Sequence, residues 1–383
     1  MLSRAKQLLP LGQSVWLDFI RRGHLLSGEF DRDVREAGIV GVTSNPTIFQ
    51  QAITGSADYD AALGEGIARG LEGEPLFEAL ALEDIRMACD KLMGLYQGSA
   101  GLDGRVSLEV SPALARDTAG TIASAARLHA AADRANVVIK IPATREGLPA
   151  ISATLAAGIS VNVTLIFSVA RYGEVMDAWM RGLEQLAGAG GDLKSVRSVA
   201  SFFVSRVDTK VDAAIEQRLA TLPPGSTERL ELESLRGHAA VANARLAYAA
   251  FEQAIATPRF AALRAKGAHV QRPLWASTST KNPAYRDVMY VEELIGPDTV
   301  NTMPPATLVA FNDHGKVESR IRRDVPGARA VFDRLTRAGV PVDALIDQLE
   351  PEGVRAFAKS YDDLLSALEA RRRELLAQRG AGR

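Results

Sequence analysis

Short apolar segments alternate with longer amphipathic stretches along most of the chain. Short runs rich in valine, isoleucine and phenylalanine predict buried β-strands, whereas apolar residues at helical spacing predict helices between them. On this pattern we predict eight strands, at residues 14–19, 39–43, 105–110, 136–141, 159–165, 197–203, 272–277 and 298–302.

Helix starts are also visible in the sequence. Ser168 precedes a stretch that carries Tyr172 and Trp179 on one predicted helical face. Ser111 followed by Pro112 directly after the third strand predicts a second N-cap and first helical turn, since serine caps helices and proline fits their first turn.

The strand pattern predicts the fold class. Strands that are apolar on both faces and alternate with helices favour a parallel sheet covered by helices, which is an α/β fold. Eight such units are the number that closes a (β/α)8 TIM barrel, so we predict a single barrel domain over residues 1–383. A doubly wound open sheet stays an alternative, although the first strand–helix turn lacks the GxGxxG pattern of dinucleotide-binding folds.

Three segments are too long for a minimal barrel. We predict helical insertions at about 46–104 and 226–266, and an entirely helical C-terminal extension at about 304–378. The three arginines at 371–373 are predicted to form a solvated helix C-terminus, where cations are favoured by the helix dipole.

Composition narrows the function classes. The 383 residues include 45 basic and 46 acidic side chains, which argues against a dedicated nucleic-acid binder. A single cysteine, Cys89, excludes a disulfide framework, and the five histidines lack metal-ligand spacing. With no signal peptide or membrane-length apolar run, we expect a cytoplasmic protein without a metal centre.

Polar residues gather where the predicted strands end. In barrels of this kind the active site is built at the C-terminal ends of the strands. The polar and aromatic positions found there are Asp18, Thr43, Asn45, Glu109, Lys140, Asn162, Thr164, Ser201, Phe203, Arg206, Ser277, Asn301 and Thr302.

Lys140 is the most unusual of these positions, because it lies within the apolar run VVIKIP. Burial of a lysine favours its neutral amine, the nucleophile of Schiff-base enzymes. A lysine on an edge strand, or one that reaches solvent along its stem, is the alternative. Asp18 and Glu109 lie on two other predicted strands that would converge with that of Lys140 at one rim of the barrel. One amine and two carboxylates at this rim predict carbon–carbon chemistry at a carbonyl, in which the lysine forms an iminium and the carboxylates move protons. Arg206 is either a phosphate or carboxylate ligand or an exposed residue at a helix start.

Six segments, in order, resemble motifs of the transaldolase family. They are GVTSNPTIF (41–49), VSLEVSP (106–112), VVIKIPAT (137–144), NVTLIFS (162–168), ASFFVSRVD (200–208) and WASTSTKNP (275–283). The resemblance extends over residues 13 to 315, and the chain length resembles that of the longer bacterial form.

This resemblance implies a cofactor-free Schiff-base enzyme of the pentose phosphate pathway. It transfers a dihydroxyacetone unit from sedoheptulose 7-phosphate to glyceraldehyde 3-phosphate, giving erythrose 4-phosphate and fructose 6-phosphate. The expected partners are phosphorylated ketose and aldose sugars, with neither nucleic acid nor membrane, in a monomer or homodimer.

The resemblance also implies catalytic roles. Lys140 matches the Schiff-base lysine, and Asp18 matches the acid–base group that takes the C4-hydroxyl proton. Glu109 and Thr164 match the pair that holds a catalytic water.

Further positions match substrate-binding residues of the family. Asn45, Asn162 and Ser201 match residues beside the dihydroxyacetone unit, and Phe203 matches an aromatic wall. For the phosphate, the matching residues are Arg206 and Ser277.

One position departs from the family pattern. Where a second phosphate-binding arginine is expected, this chain carries Ser279, with Lys281 two residues further on. Either Lys281 supplies the charge, or Arg206, Ser277 and Ser279 hold the phosphate with less charge.

Two other functions stay open at the level of sequence. One is a Schiff-base fructose 6-phosphate aldolase of the same family, although Glu109 favours transfer. The other is a noncatalytic phosphosugar-binding barrel, which we would expect to have lost Lys140, Asp18 or Glu109.

Overall fold

A computed structural model describes residues 2–381, and the side chains of residues 2–377. Within this part of the chain, parallel strands form a closed barrel in sequence order, and the last strand pairs with the first. The strands are β1 (Gln13–Leu17), β2 (Gly41–Val42), β3 (Arg105–Glu109), β4 (Val137–Pro142), β5 (Val161–Ile166), β6 (Ser198–Phe203), β7 (Gln271–Ala276) and β8 (Thr299–Met303). The predicted TIM barrel is confirmed, and an open sheet is excluded by the pairing of β1 with both β2 and β8.

Every strand begins and ends within two residues of its predicted bounds. All six residues of β4, of β5 and of β6 are buried, because helices cover the outside of the barrel and side chains fill its inside. This two-sided burial is why the strands appear in the sequence as continuous apolar runs.

The α-helices lie in the connections between strands and after β8. None of the described helices combines the length and apolarity needed to span a membrane. In chain order they are α1 (Arg22–Leu26), α2 (Glu29–Arg32), α3 (Pro46–Thr54), α4 (Asp60–Ala68), α5 (Gly73–Gly98), α6 (Thr118–Ala132), α7 (Gly147–Ala156), α8 (Val169–Gly188), α9 (Ser205–Leu219), α10 (Thr227–Glu233), α11 (Ala239–Ile255), α12 (Pro258–Ala265), α13 (Met289–Glu293), α14 (Pro305–His314), α15 (Val325–Arg337), α16 (Val342–Asp347) and α17 (Leu349–Ala381).

Of the two predicted helix N-caps, one is confirmed and the other is wrong. Ser168 caps α8 as predicted, because its hydroxyl accepts a hydrogen bond from the Arg171 N–H at 3.1 Å. The prediction at Ser111 was wrong, since its side chain makes no capping bond and only a short 3-10 turn follows. The α6 helix begins six residues later than Pro112, where Asp117 accepts the N–H of Gly120.

The C-terminal segment is helical but not continuously so. Residues 315–324 lie outside any α-helix, so an entirely helical 304–378 was wrong. The prediction that arginines 371–373 end a helix was also wrong, because α17 continues to Ala381. Instead, Arg371 forms an ion pair with Asp60 on α4 at 2.7 Å and so ties α17 to the first insertion.

The α17 helix crosses the C-terminal end of the barrel. Its first turns are held by an ion pair of Glu350 with Arg171 at 3.1 Å and by one of Glu352 with Lys210. Gly353 lies so close to β5 that a Cβ there would be 3.1 Å from Leu165 Cδ2. A Cβ at this position would require the Leu165 side chain to shift by a few tenths of an ångström, so the glycine allows the close approach of α17 to β5.

Candidate active site

A cavity of about 390 Å³ opens at the C-terminal ends of the strands, beneath α17. Parallel strands of a closed barrel converge there, so residues far apart in sequence share its wall. Ten of the twelve catalytic and substrate-binding residues singled out in the sequence line it: Asp18, Asn45, Lys140, Thr164, Ser201, Phe203, Arg206, Ser277, Ser279 and Lys281.

Lys140 lies inside the barrel rather than at an edge. It is 4% exposed, and its register partners are Glu109 on β3 and Asn162 on β5. The Nζ donates to Glu109 Oε2 at 3.0 Å and to the Ser44 carbonyl at 3.2 Å. A snorkelling or edge-strand lysine is thereby excluded, and Glu109 is the base nearest to the amine.

Glu109 lies behind Lys140, where it contacts the amine without lining the cavity. Burial raises the pKa of this carboxyl, the Lys140 charge opposes that effect, and the Asp18 charge adds to it. A carboxyl with a raised pKa and a direct contact to an amine is suited to accept and return a proton.

Thr164 lies on an irregular part of β5. The register with β6 shifts between Val163 and Ile166, and Leu165 has a left-handed backbone with φ of 60°. Such strained positions are frequent at functional sites. The buried Thr164 hydroxyl lines the cavity and has no hydrogen-bond partner among the described residues, so it is available to a ligand.

Asp18 follows β1 directly and stands at the wall of the cavity. Its N–H donates to the Met303 carbonyl at 2.8 Å, and its Oδ1 accepts from the Thr43 hydroxyl at 2.7 Å. Thr43 is in turn 2.6 Å from the Thr302 hydroxyl. Burial raises the pKa of Asp18, opposed by the Thr43 bond and by the charges of Lys140 and Lys281.

Two asparagines have different positions. Asn45 lines the cavity while its side-chain oxygen caps α3, accepting the N–H of Ile48 at 3.0 Å. Asn162 is fully buried below the cavity, where it donates to Ser107 at 3.0 Å and accepts from Ser201 at 2.7 Å. The hydrogen bond to Asn162 therefore fixes the orientation of the Ser201 hydroxyl at the cavity wall.

Arg206 stands in the first turn of α9 at one side of the cavity. Its guanidinium carbon is 5.5 Å from the centre of the Phe203 ring, which packs on Phe167. Burial lowers the pKa of Arg206, and the group forms no ion pair with any described carboxylate. An arginine held without a partner beside a cavity is suited to bind an anion.

The wall beside Arg206 combines hydroxyls with a second cation. Ser277 has a left-handed backbone with φ of 56°, and its hydroxyl lies 2.9 Å from that of Ser205. The Lys281 amine donates to the Ser279 hydroxyl at 2.9 Å. Two cationic side chains, Arg206 and Lys281, and several hydroxyls therefore line the same cavity.

Comparison with known sequences decides the family. The model of the transaldolase/fructose-6-phosphate aldolase family matches residues 15–368. The chain belongs to this family. The match includes the buried lysine on β4 and the two carboxylates near it, Glu109 at the end of β3 and Asp18 directly after β1.

Several members of the transaldolase/fructose-6-phosphate aldolase family match nearly the whole chain. A protein named transaldolase from Mycolicibacterium smegmatis is 50% identical over 363 residues, which cover 94% of this chain and 95% of that protein. Proteins of the same name from Parafrankia sp. and Trichodesmium erythraeum are 52% and 44% identical, over 94% and 95% of this chain and 96% of each relative. This chain and these relatives therefore align over nearly their whole lengths.

Several residues that line the cavity were not singled out in the sequence, and Phe357 is the one that lies nearest to the proposed chemistry. Phe357 of α17 lines the cavity as its roof, and its ring centre is 5.6 Å from Lys140 Nζ. In the sequence it is one apolar residue of an amphipathic helix beyond the family motifs. Only the path of α17 across the mouth identifies it as part of the site.

The described residues contain neither a cluster of metal ligands nor a reactive thiol. They contain no group of three or more His, Cys, Asp or Glu side chains placed to hold a metal ion. The thiol of Cys89 is buried in α5, and burial raises its pKa, so the thiol stays protonated at neutral pH. Among the described amines and thiols, Lys140 is the one that lines the cavity and has a carboxylate in contact.

Proposed function

We propose that the protein is a transaldolase of the pentose phosphate pathway. It moves a dihydroxyacetone unit from sedoheptulose 7-phosphate to glyceraldehyde 3-phosphate through a Schiff base on Lys140. The observation that carries the proposal is the buried Lys140 amine, 3.0 Å from Glu109 and exposed to a cavity that Asp18 also lines. Relatives named transaldolase that match nearly the whole chain support it.

The first step forms the imine. Glu109 accepts a proton from the Lys140 ammonium, and the neutral amine attacks the C2 carbonyl of the ketose. The carbinolamine then loses water, for which Glu109 returns the proton, and a protonated imine forms. Glu109 and the open hydroxyl of Thr164 hold the water that this step releases and that the final hydrolysis consumes.

The second step breaks the C3–C4 bond. Asp18 takes the proton of the C4 hydroxyl, the aldose leaves as its aldehyde, and the bond electrons move into the iminium to give an enamine. The acceptor aldehyde then adds to the enamine, and Asp18 returns the proton to the new hydroxyl. Burial raises the pKa of Asp18, and a carboxyl with a pKa closer to neutrality transfers protons in both directions more readily.

The remaining cavity residues bind substrate in this proposal. Asn45 and Ser201, the latter oriented by Asn162, bind hydroxyls of the dihydroxyacetone unit, and Phe203 forms a wall. Arg206, Ser277, Ser279 and Lys281 bind the phosphate at the cationic end of the cavity. The expected setting is the cytoplasm, with phosphorylated sugars as partners and without a cofactor.

A coupled assay tests this function. Erythrose 4-phosphate formed from sedoheptulose 7-phosphate and glyceraldehyde 3-phosphate is measured against free dihydroxyacetone released from fructose 6-phosphate alone. Transfer that exceeds release supports the transaldolase. Release that needs no acceptor would instead favour the aldolase, and the absence of both reactions in folded protein would leave only a binding role.

The Lys281→Ala substitution is expected to raise the KM for phosphosugars about tenfold and to change kcat less than about twofold, since it removes one charged phosphate contact. Lys281→Arg retains the cation and serves as the matched control, with KM close to that of the original protein. Steady-state kinetics with sedoheptulose 7-phosphate measure both. An unchanged KM in Lys281→Ala would assign the phosphate to Arg206, Ser277 and Ser279 alone.

The Phe357→Ala substitution removes the apolar roof above Lys140. Water then reaches the enamine more easily, so we expect more dihydroxyacetone released per transfer event and kcat/KM lower by about tenfold. Phe357→Leu keeps an apolar roof, so its ratio of dihydroxyacetone release to transfer is expected to stay close to that of the original protein. If release and transfer keep their ratio in Phe357→Ala, the ring has no role in excluding water.

A further inference from the structure

A second and larger cavity, of about 680 Å³, lies at the opposite end of the barrel. Its lining comes from the beginnings of strands: Arg105 opens β3, Ser198 opens β6, and Asp298 directly precedes β8. Strands of five or six residues at about 3.3 Å per residue separate the two ends by about 15–20 Å. This floor cavity is therefore distinct from the candidate active site.

The floor cavity is strongly cationic. Among its described lining residues, Asp298 is the one carboxylate, against five cationic side chains: Arg105, Lys194, Arg197, Arg264 and Arg272. A further carboxylate, Asp103, binds Arg272 at 3.2 Å. Positive charge therefore remains in excess, and a concave wall concentrates its field.

The two innermost arginines are held by neutral groups. Arg105 donates from Nε to the Gly101 carbonyl at 2.8 Å and from Nη1 to the Ser160 hydroxyl at 3.2 Å. Arg197 donates from Nη2 to the Ala100 carbonyl at 2.9 Å. These contacts fix the guanidinium planes without a directly paired anion, since neither group forms an ion pair with a described carboxylate. The Tyr96 ring centre lies 5.2 Å from the Arg105 guanidinium carbon, and Asp103 and Asp192 act on Arg105 and Arg197, respectively, only from a distance.

Two buried nitrogen donors of these arginines have no hydrogen-bond partner among the described residues. Arg105 is 1% exposed and Arg197 is 9% exposed, yet Arg105 Nη2 and Arg197 Nε make no hydrogen bond to a described residue. Buried arginines are rare without a paired anion, and an unsatisfied charged donor is costly. Burial, together with the neighbouring guanidinium charges, lowers the pKa of both groups, which reflects the same unfavourable energy.

A purely structural role explains only part of the cluster. Arg272 does link strands across the barrel floor, because it donates to the Ser14 hydroxyl and the Leu102 carbonyl, both at 2.8 Å. Lys194 and Arg264, however, are exposed at the rim and form no ion pair with a described carboxylate. Rim cations without carboxylate partners, above two buried arginines that also lack anions, match the requirements of an anion site.

We propose that the floor cavity binds a small phosphorylated molecule that carries at least two negative charges. Guanidinium and ammonium groups donate charge-assisted hydrogen bonds to phosphate oxygens. Arg105 Nη2 and Arg197 Nε are the donors of the two inner arginines that have no partner among the described residues, and the exposed Lys194 and Arg264 supply further cationic donors at the rim. The volume of about 680 Å³ exceeds that of a phosphate ion and lies in the range of small-molecule sites. The phosphate is thus expected to be part of a larger molecule.

Titration calorimetry with inorganic pyrophosphate at fixed ionic strength tests the site. The Arg206→Gln variant serves as background, because it weakens phosphate binding at the candidate active site. We expect saturable binding of one pyrophosphate per chain, tighter than that of inorganic phosphate. Added to this background, Lys194→Glu with Arg264→Glu replaces two rim cations by anions and should weaken binding about tenfold.

Controls separate the floor cavity from general charge effects. Lys316→Glu changes an exposed lysine that does not line the cavity, so pyrophosphate affinity should be retained. The variant with Lys194→Glu and Arg264→Glu, made without Arg206→Gln, should have the same kcat/KM for phosphosugars and the same Tm as the original protein. Non-saturable binding, affinity unaffected by the rim substitutions, or equal loss in Lys316→Glu would overturn the proposal whether or not the enzyme is a transaldolase.

Discussion

The Lys140→Met variant is expected to lose kcat by at least about 10⁴-fold, because a Schiff base needs an amine and no other described amine at the cavity has a carboxylate in contact. Methionine fills a similar apolar volume between β3 and β5, so the barrel should remain folded. Borohydride reduction in the presence of fructose 6-phosphate, followed by mass spectrometry, measures the covalent adduct directly. We expect the adduct on Lys140 in the original protein and none in the variant.

Lys281→Met is the matched control for this experiment. Both lysines line the same cavity, but the Lys281 amine donates to the Ser279 hydroxyl in the proposed phosphate site and has no carboxylate in contact among the described residues. The adduct should therefore persist in Lys281→Met at sufficient sugar concentration. An adduct of undiminished yield in Lys140→Met would show that the wrong lysine has been assigned.

The Asp18→Asn variant should separate imine formation from carbon–carbon cleavage. We expect kcat to fall by about 10³-fold, a typical effect of removing a general base. Since Lys140 and Glu109 remain, borohydride should still trap the fructose 6-phosphate imine. If kcat stays within tenfold of the original, or if trapping is lost with kcat, Asp18 does not act at the C4 hydroxyl.

The same variant has a stability consequence with a definite sign. Burial raises the pKa of Asp18 in the folded state, so its ionised form destabilises the fold at every pH above the unfolded-state value. Asp18→Asn should therefore raise Tm at pH 7 by about 1–3 °C. This gain should shrink as the pH falls through the folded-state pKa and should be lost below about pH 4, where the carboxyl is protonated in both the folded and the unfolded state. A Tm that is lower at pH 7 would contradict the assigned environment.

The sequence predicted the barrel and most of its cavity for a physical reason. Strands buried on both faces leave a continuous apolar record, and parallel strands bring their C-terminal ends together. Lys140 interrupts such a run, so its unusual chemistry is already visible in the order of the residues. Periodicity alone does not distinguish a closed from an open sheet, because closure depends on the pairing of β1 with β8.

Features that arise from long-range contacts were not predictable in this way. Phe357 reaches Lys140 only because α17 turns across the barrel mouth. At the opposite end, Arg105 and Arg197 resemble ordinary polar residues at the start of a strand, and only three-dimensional packing brings them together. A short sequence pattern can also mislead, as Ser111 shows. Ser111 followed by Pro112 is a typical helix start, but the α-helix begins at Thr118 and is capped by Asp117.

The closing strand pair also constrains how the chain is made. Gln13 on β1 donates to Thr299 on β8 across 286 residues of sequence. At ribosomal rates of 5–20 residues per second, β1 emerges about 15–60 s before the strand that covers its open edge. During that interval the edge is open to other chains. We expect newly made chains to depend on chaperones until β8 and then α17 have been synthesised, so that activity appears only near the end of translation.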